Sequence, residues 1–303
     1  MGFCLNLDFI KKTLFIYMIS LLFTSCAETV LNDDSNVIPN FNINSTFTVL
    51  TWNIENFPKA ENITVDSVAS FIKLANANIY CLQEIKSQNY FNTLVYNLDD
   101  YNGHRENSAA YDLDLAVIYA NNIEIINIYE IYVDDWWSFP RSPQVIHFSW
   151  KENEIILINN HFKAHDNNSN EDEARRISAS QKLDEYVVSN FSNKNVIILG
   201  DLNDDLTKPE SENVYWNFIS KPNEYLFVDM EIANGSEAHW SFPDWPSHLD
   251  HILITNELFD EYDHYDSHVQ TIYFENLMTN DWIDYEQFIS DHRPIALSLK
   301  FGN

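Results

Sequence analysis

The sequence predicts a mixed α/β domain in which strands outnumber helices and the helices flank the sheets. Short apolar runs bounded by polar turns recur from Thr46 to the end of the chain, and between some of them apolar residues recur at helical spacing. Polar residues able to bind a metal or a phosphate stand beside the ends of several runs.

Residues 47–52 are β-branched, aromatic or apolar and predict a strand, after which Val65, Val68, Ala69, Ile72 and Ala75 fall on one face of a helix. Residues 79–82 predict a second strand, ending at Gln83 and Glu84. Further strands are predicted over 115–119, 123–132, 145–150 and 155–159, followed by a helix over 171–188. The apolar run 196–199 predicts a buried strand, and strands at 252–254 and 295–299 complete the set. No internal repeat or low-complexity gap interrupts them.

The chain has 303 residues, 45% hydrophobic and 15% aromatic, enough for one large core. Lys and Arg total 17 against 46 Asp and Glu, a formal net charge of -29. That balance argues against a broad basic face for nucleic acid, whose non-specific affinity comes mainly from phosphate neutralisation by Lys and Arg. Bound cations must then supply much of the attraction for a phosphate-bearing substrate. Beyond Cys4 and Cys26 only Cys81 remains, which excludes a disulfide framework and a cysteine metal site. Cys81 lies in the run 79–82 and reads as a small buried hydrophobe.

At the N-terminus, Lys11 and Lys12 precede an apolar stretch over 14–23, followed by Thr24, Ser25 and Cys26. This order describes a signal peptide, and the stretch is shorter than the roughly 20 apolar residues of a membrane-spanning helix. Its ending resembles a bacterial lipobox, with Phe23 where Leu is usual; a plain secretory signal is the alternative. The expected organisation is a lipoprotein signal peptide over 1–26, a flexible polar tether over 27–45 and a catalytic domain over 46–303. A lipid on Cys26 would hold the protein in the bacterial cell envelope, outside the cytoplasm.

Asn53 and Glu55 follow the first strand, Glu84 the second, His161 the run at 155, and Asp201, Asn203 and Asp204 the run at 196. Asp250 and His251 precede the run at 252, and Asp291 and His292 precede that at 295. Strand ends on one side of a sheet share a rim. Phosphoester hydrolysis needs charge stabilisation on the phosphoryl oxygens, an activated water and a proton or cation for the leaving oxygen. Carboxylates such as Glu84 and a strand-end Asp suit Mg2+, and a His beside a buried carboxylate can activate water. Singly, these residues read equally as turn formers: Asn53 or Asp291 capping a loop, Asp201 and Asn203 in an Asx turn after Gly200.

The segments LTWNIEN at 50–56, LQE at 82–84, NHFK at 160–163, LGDLND at 199–204, LDHI at 249–252 and SDHRP at 290–294 occur in the order of the endonuclease/exonuclease/phosphatase family. The chain resembles that family from Thr46 to Phe301, and the shared order outweighs the turn readings. The resemblance implies a four-layer α/β/β/α sandwich of two mixed, mainly antiparallel sheets flanked by helices. It implies Mg2+, with Mn2+ or Ca2+ as alternatives, held mainly by Glu84 with Asn53, Glu55 and Asp291 close by. Asp250 would orient His292, which activates water or contacts the phosphate, and His161 would act as general acid. Asp201 and Asn203 would position nucleophile and phosphate, with Asn53 also on the substrate. Glu55 stands where some branches carry Asp. His165, Asp204 and Asp205 are expected to be surface or supporting groups, and His239, His248, His264 and His268 surface or structural ones.

The NNHFK segment at 159–163, Arg175 and Arg176, and PRSP at 140–143 resemble predicted extracellular bacterial nucleases, with Arg141 reaching a substrate phosphate. A solvated Arg141 in a proline turn is the alternative. Trp136, Trp137, Trp240 and Trp245 are expected to pack in the core, with base stacking or lipid contact as alternatives. The first functional expectation is an extracytoplasmic endonuclease hydrolysing phosphodiesters of DNA or RNA. The second is a sphingomyelinase-like or phosphatase-like hydrolase of a lipid or small phosphoester, and the third a non-catalytic binding lipoprotein. Nucleic acid and the membrane are the expected partners, and no protein partner is expected.

Overall fold

The structure is a computed structural model that describes residues 38–166 and 168–302. The signal-peptide expectation, and the tether as far as residue 37, lie outside the described residues.

The strands are β1 (Phe47–Phe57), β2 (Ile79–Ile85), β3 (Tyr101–Arg105), β4 (Asp114–Ala120), β5 (Ile123–Glu130), β6 (Gln144–Trp150), β7 (Asn153–His161), β8 (Asn195–Asp201), β9 (Tyr225–Phe227), β10 (Asp250–Thr255), β11 (His268–Thr271) and β12 (Ile295–Leu299). They form two six-stranded sheets, ordered β11-β12-β1-β2-β4-β3 and β5-β6-β7-β8-β10-β9. Within each sheet one pair is parallel, β1 with β2 and β7 with β8, and the other pairs are antiparallel. A parallel pair needs a crossover, which helix α1 (Glu61–Ala75) supplies in the first sheet and helix α3 (Ser169–Asn190) in the second. Helices α2 (Gln88–Tyr96) and α4 (Asp281–Phe288) complete the longer elements.

Alternation along the central strands fills three cores. Val49, Ile79 and Cys81 point between the sheets and meet Leu157, Leu199 and Ile252 from the other sheet. Leu50, Trp52, Tyr80 and Leu82 point outward to Val68 and Ile72 of α1. On the second sheet Ile156, Val196 and Ile198 pack against Ala179 and Leu183 of α3. With both faces covered, the central strands are apolar nearly throughout, and the layering is the predicted α/β/β/α sandwich. Gly200 lets β7 and β8 approach: its φ is 144°, and a Cβ there would lie 2.0 Å from the Asn160 carbonyl oxygen.

Part of the expected tether belongs to the fold. Phe41 is buried and its amide donates to the Ala75 carbonyl at 2.8 Å. Asn78 and Asn122 donate their side-chain amides to the Ile43 carbonyl at 3.2 and 3.1 Å. Burial of one large aromatic decides the matter against tethering by polar composition alone. Phe41→Ala is expected to lower the unfolding free energy by about 3–5 kcal/mol in urea titrations; a loss below about 1 kcal/mol would show that residues 38–45 merely lie on the domain.

Candidate active site

The predicted residues meet because of strand parity and direction. Asn53 continues the inward set of Val49 and Thr51, His161 that of Leu157, and Asp201 that of Leu199, while Asp250 precedes Ile252 in an antiparallel strand. Asp201 is register partner of both His161 and Asp250. The space between the sheets is thus apolar through the middle and polar at this end. A layer of buried amides separates the two regions. Gln83 Nε2 donates to Asn159 Oδ1 at 2.7 Å and to Thr51 Oγ1 at 3.2 Å, while Asn159 Nδ2 donates to Gln144 Oε1 at 3.3 Å and to the Ala116 carbonyl at 3.2 Å. Gln83 Oε1 stays without a partner among the described residues, but the amide hydrogens of the layer are bonded, and breaking one of those bonds would leave a further unpaired polar group.

Glu84 arrives by a different route. Alternation after Leu82 would turn it toward the helices, but the β2–β4 register is irregular between Leu82 and Ile85, and Glu84 has a φ of 62°. Its carboxylate therefore swings to the rim, where Oε1 accepts from Asn53 Nδ2 at 3.3 Å and Oε2 from the Asn56 amide at 3.0 Å. Asn53 Nδ2 also donates to Asp201 Oδ2 at 3.0 Å, so one amide joins the two sheets. His161 Nε2 is 3.4 Å from the same Asp201 oxygen, and His292 Nε2 is 3.9 Å from it. Asp250 Oδ2 accepts from His292 Nδ1 at 2.7 Å, the pairing expected from sequence. Asn203, with φ 59°, donates its amide to Asp201 Oδ1 at 3.2 Å.

Electrostatics sort these groups. Burial, with the charges of Asp250 and Glu84, pushes Asp201 up to about 7, against the opposing pull of His292 and Asn53. A carboxyl near neutrality suits proton transfer at physiological pH. Burial works against charge on His292, but Asp250 and Asp201 overcome it and push the imidazole up to about 10. His161 lies well below the ordinary imidazole value because of burial and the nearby positive charges of Arg141 and His292. The shift favours the neutral ring, whose Nε2 faces Asp201 Oδ2.

The oxygen donors at the rim are of the type that a hard divalent cation takes. Glu84 and Asp291 offer carboxylate oxygens, and Mg2+ commonly takes only one or two of these beside water. Asp291 is raised by burial and by the charge of Glu84, despite His292, so these acids lack a full counter-charge. Two expected neighbours of the metal are otherwise engaged. Asn53 turns its Nδ2, not its oxygen, to the carboxylates, its Oδ1 accepting the Glu55 amide at 3.0 Å. Glu55 is ion-paired with Lys59.

A second group, Asp229, His248 and His251, could also hold a metal, since its ligand atoms lie within 4.8 Å of one another. Its protons argue for an ion-paired network. His251 Nδ1 donates to Asp229 Oδ2 at 2.6 Å and Nε2 to the Asp204 carbonyl at 2.8 Å, so both ring nitrogens carry hydrogen. His248 Nδ1 accepts the Ser241 amide at 3.3 Å, leaving Nε2 as donor to Asp229 at 3.0 Å. A cation would have to displace these protons. Sequence reading missed Asp229, which follows a short edge strand and carries no motif.

A cleft of about 850 Å³ opens onto the rim. Its lining includes the aromatic Trp240, Phe242 and Trp245 and the polar His165, Asp204 and Lys208. Reciprocal backbone bonds between Phe242 and Ser247, at 3.0 and 3.1 Å, fix a hairpin whose tip presents Trp245, 78% exposed. Phe242 packs on His292 with ring centroids 4.9 Å apart. Trp136, Trp137 and Trp245 are exposed, contrary to expectation, whereas Trp240 is half-buried with Nε1 donating to the Ile232 carbonyl at 3.0 Å. Arg141 lines the cleft and makes no hydrogen bond or ion pair among the described residues. Arg176 is instead structural: fully buried, it pairs with Asp204 at 3.0 Å.

Burial opposes charge on both members of the Asp229–His251 pair, yet each overcomes it for the other: Asp229 is held well below the carboxylate range and His251 above the imidazole range. Stability from His251 is present below the unfolded imidazole value and lost as pH rises through the folded one; stability from Asp229 is present above the unfolded carboxylate value and lost as pH falls through the folded one. Asp229→Asn is expected to cost about 3–5 kcal/mol in urea titrations near pH 6, with the cost shrinking as the pH rises past the folded His251 value. A cost independent of pH up to strongly alkaline conditions would exclude the imidazolium.

Solved structures share this fold. D. rerio TDP2 complexed with single strand DNA product has a TM-score of 0.63 at 12% identity, covering 85% of this chain and 100% of that chain. The human Nocturnin catalytic domain with bound sulfate anion gives 0.62 at 16%, covering 87% and 96%. A Bacteroides thetaiotaomicron mannosyl-6-phosphatase gives 0.60 at 15%, covering 84% and 100%. No curated protein matches the chain significantly. The model of the Endonuclease/Exonuclease/phosphatase family matches residues 50–292, and the chain belongs to that family.

Proposed function

We propose that the protein is a divalent-metal-dependent phosphoesterase whose first substrate class is a phosphodiester at a single-stranded nucleic-acid end. The observation that carries the reading is the convergence on Asp201 Oδ2, where Asn53, His161 and His292 gather within 3.9 Å beside Glu84. Glu84 and Asp291 hold the metal, which, when bound, neutralises charge on a phosphoryl oxygen. The chain supplies the rest. Asp201 takes a proton from the attacking water, Asn203 and Arg141 hold phosphoryl oxygens, and Asp250 keeps His292 oriented toward the same phosphate. As the bond from phosphorus to the leaving oxygen breaks, His161 donates a hydrogen bond to that oxygen from Nε2, and a solvent proton completes the alcohol.

A cleft lined by one arginine, Arg141, and one lysine, Lys208, together with the net charge of -29, favours a chain end over a long duplex. The rigid hairpin offers Trp245 as a platform for a base. The second reading is a phosphatase of a small ringed phosphoester, supported by the same cleft and by the likeness to the mannosyl-6-phosphatase. The finer likeness to extracellular bacterial nucleases, and an envelope location through a lipid on Cys26, belong to the same proposal and rest on residues 11–26 and 140–143. Labelling with radioactive palmitate in an expressing bacterium should mark the protein and be lost in Cys26→Ala; equal labelling of both would remove the anchor.

With Mg2+ present and EDTA as control, the protein is expected to release product from a single-stranded oligonucleotide faster than from plasmid duplex. Glu84→Gln should abolish the Mg2+ response, and His292→Ala should lower kcat by at least ~100-fold. Trp245→Ala should raise KM for the oligonucleotide by about tenfold, on the scale of one stacking contact, leaving glycerol phosphate turnover unchanged. Activity on hexose phosphates alone would transfer the assignment to the second reading, and inactivity on all phosphoesters would end both.

A further inference from the structure

Lys59 lies outside every motif that points to hydrolysis, yet it is built into the acid cluster. Its Nζ bonds Glu55 Oε2 and the Glu286 carbonyl, and stands 3.7 Å from Glu286 Oε1. Three contacts knit the surrounding residues together. The Glu55 amide donates to Asn53 Oδ1 at 3.0 Å, the Asn56 amide to Glu84 Oε2 at 3.0 Å, and Ser290 Oγ to the Asn53 carbonyl at 2.6 Å. Glu55 therefore sits on the same short bulge that grips Glu84, with Asp291 next along from Ser290. The charges of Asp291 and Glu84 both bear on Glu55. Glu55, Glu84 and Asp291 share this corner, with the Glu286 carboxylate at its edge, and Lys59 brings an ammonium to it that pairs with Glu55.

We infer that Lys59 serves as a resident second cation of this cluster, engaging Glu55 so that the corner takes one divalent ion, at Glu84 and Asp291, where three free acids would take two. An ammonium bonded to a carboxylate occupies the oxygen that a metal would need, and its charge repels a second ion close by. The same lysine meets a carbonyl of the last turn of α4, a favourable place for a cation. A purely structural lysine would stabilise α4 without setting how many ions bind. The inference rests on the reading that Glu84 and Asp291 hold the metal.

Mn2+ binding to the purified protein, by titration calorimetry with free Mn2+ followed by paramagnetic resonance, separates the cases. Wild type is expected to bind one ion per chain and Lys59→Met two, with Lys59→Arg restoring one. The double variant Lys59→Met with Glu55→Gln removes both charges together and should return to one ion, within about threefold of the wild-type affinity; it also serves if Lys59→Met does not fold. Two ions on the wild type would overturn the inference. So would one ion with unchanged affinity on folded Lys59→Met, or a loss of more than about tenfold in the double variant, which would make Glu55 a ligand. No Mn2+ binding by wild type, or unaltered binding in Glu84→Gln, would instead defeat the metal reading itself.

Discussion

Two sheets packed face to face impose the constraint on which the site depends. Each central strand must send alternate residues into the space between the sheets, and that space is apolar until the strands approach their rim. From there the same alternation delivers Asn53, His161, Asp201 and Asp250 to a shared interior edge. Their convergence needs no special loop architecture. It follows from the direction of the strands: β1, β2, β7 and β8 run toward the rim and contribute residues at or near their ends, whereas β10 and β12 run away from it and contribute residues at or before their beginnings.

That geometry explains how much could be read from the chain. Central strands are buried on both faces, so their apolar runs are conspicuous, and the helices that link parallel neighbours show regular spacing. The strands left unread were β3, β9 and β11, each at the edge of a sheet. Edge strands are covered less fully and tolerate polar residues, as Asn102 and His104 in β3 or Gln270 in β11 illustrate. Side-chain direction was equally beyond reach. Sequence placed Asn53 and Glu55 beside the acids, but only the bulge after Asn53 shows the amide turned nitrogen-first and Glu55 drawn to Lys59. Position was legible and orientation was not.

Charge is distributed unevenly between framework and cleft. Arg176 and Asp204 neutralise each other in the interior, and His251 does the same for Asp229, so buried charges behind the rim are matched. At the rim itself acids outnumber their partners, and Arg141 makes no ion pair among the described residues. Matched pairs give rigidity, because moving either partner strands the other in a low-dielectric surrounding. Unmatched groups retain the capacity to engage something that arrives from solvent. The contrast separates the supporting residues from those free to meet a ligand.

Phe41 is packed beside the end of α1, near the beginnings of β1 and β2, while the cleft opens at the opposite ends of those strands. Residues 38–41 thus lie at the pole remote from the mouth. The aromatic plug at that pole ties the first described residues to the framework by its own burial, away from the side chains that line the mouth.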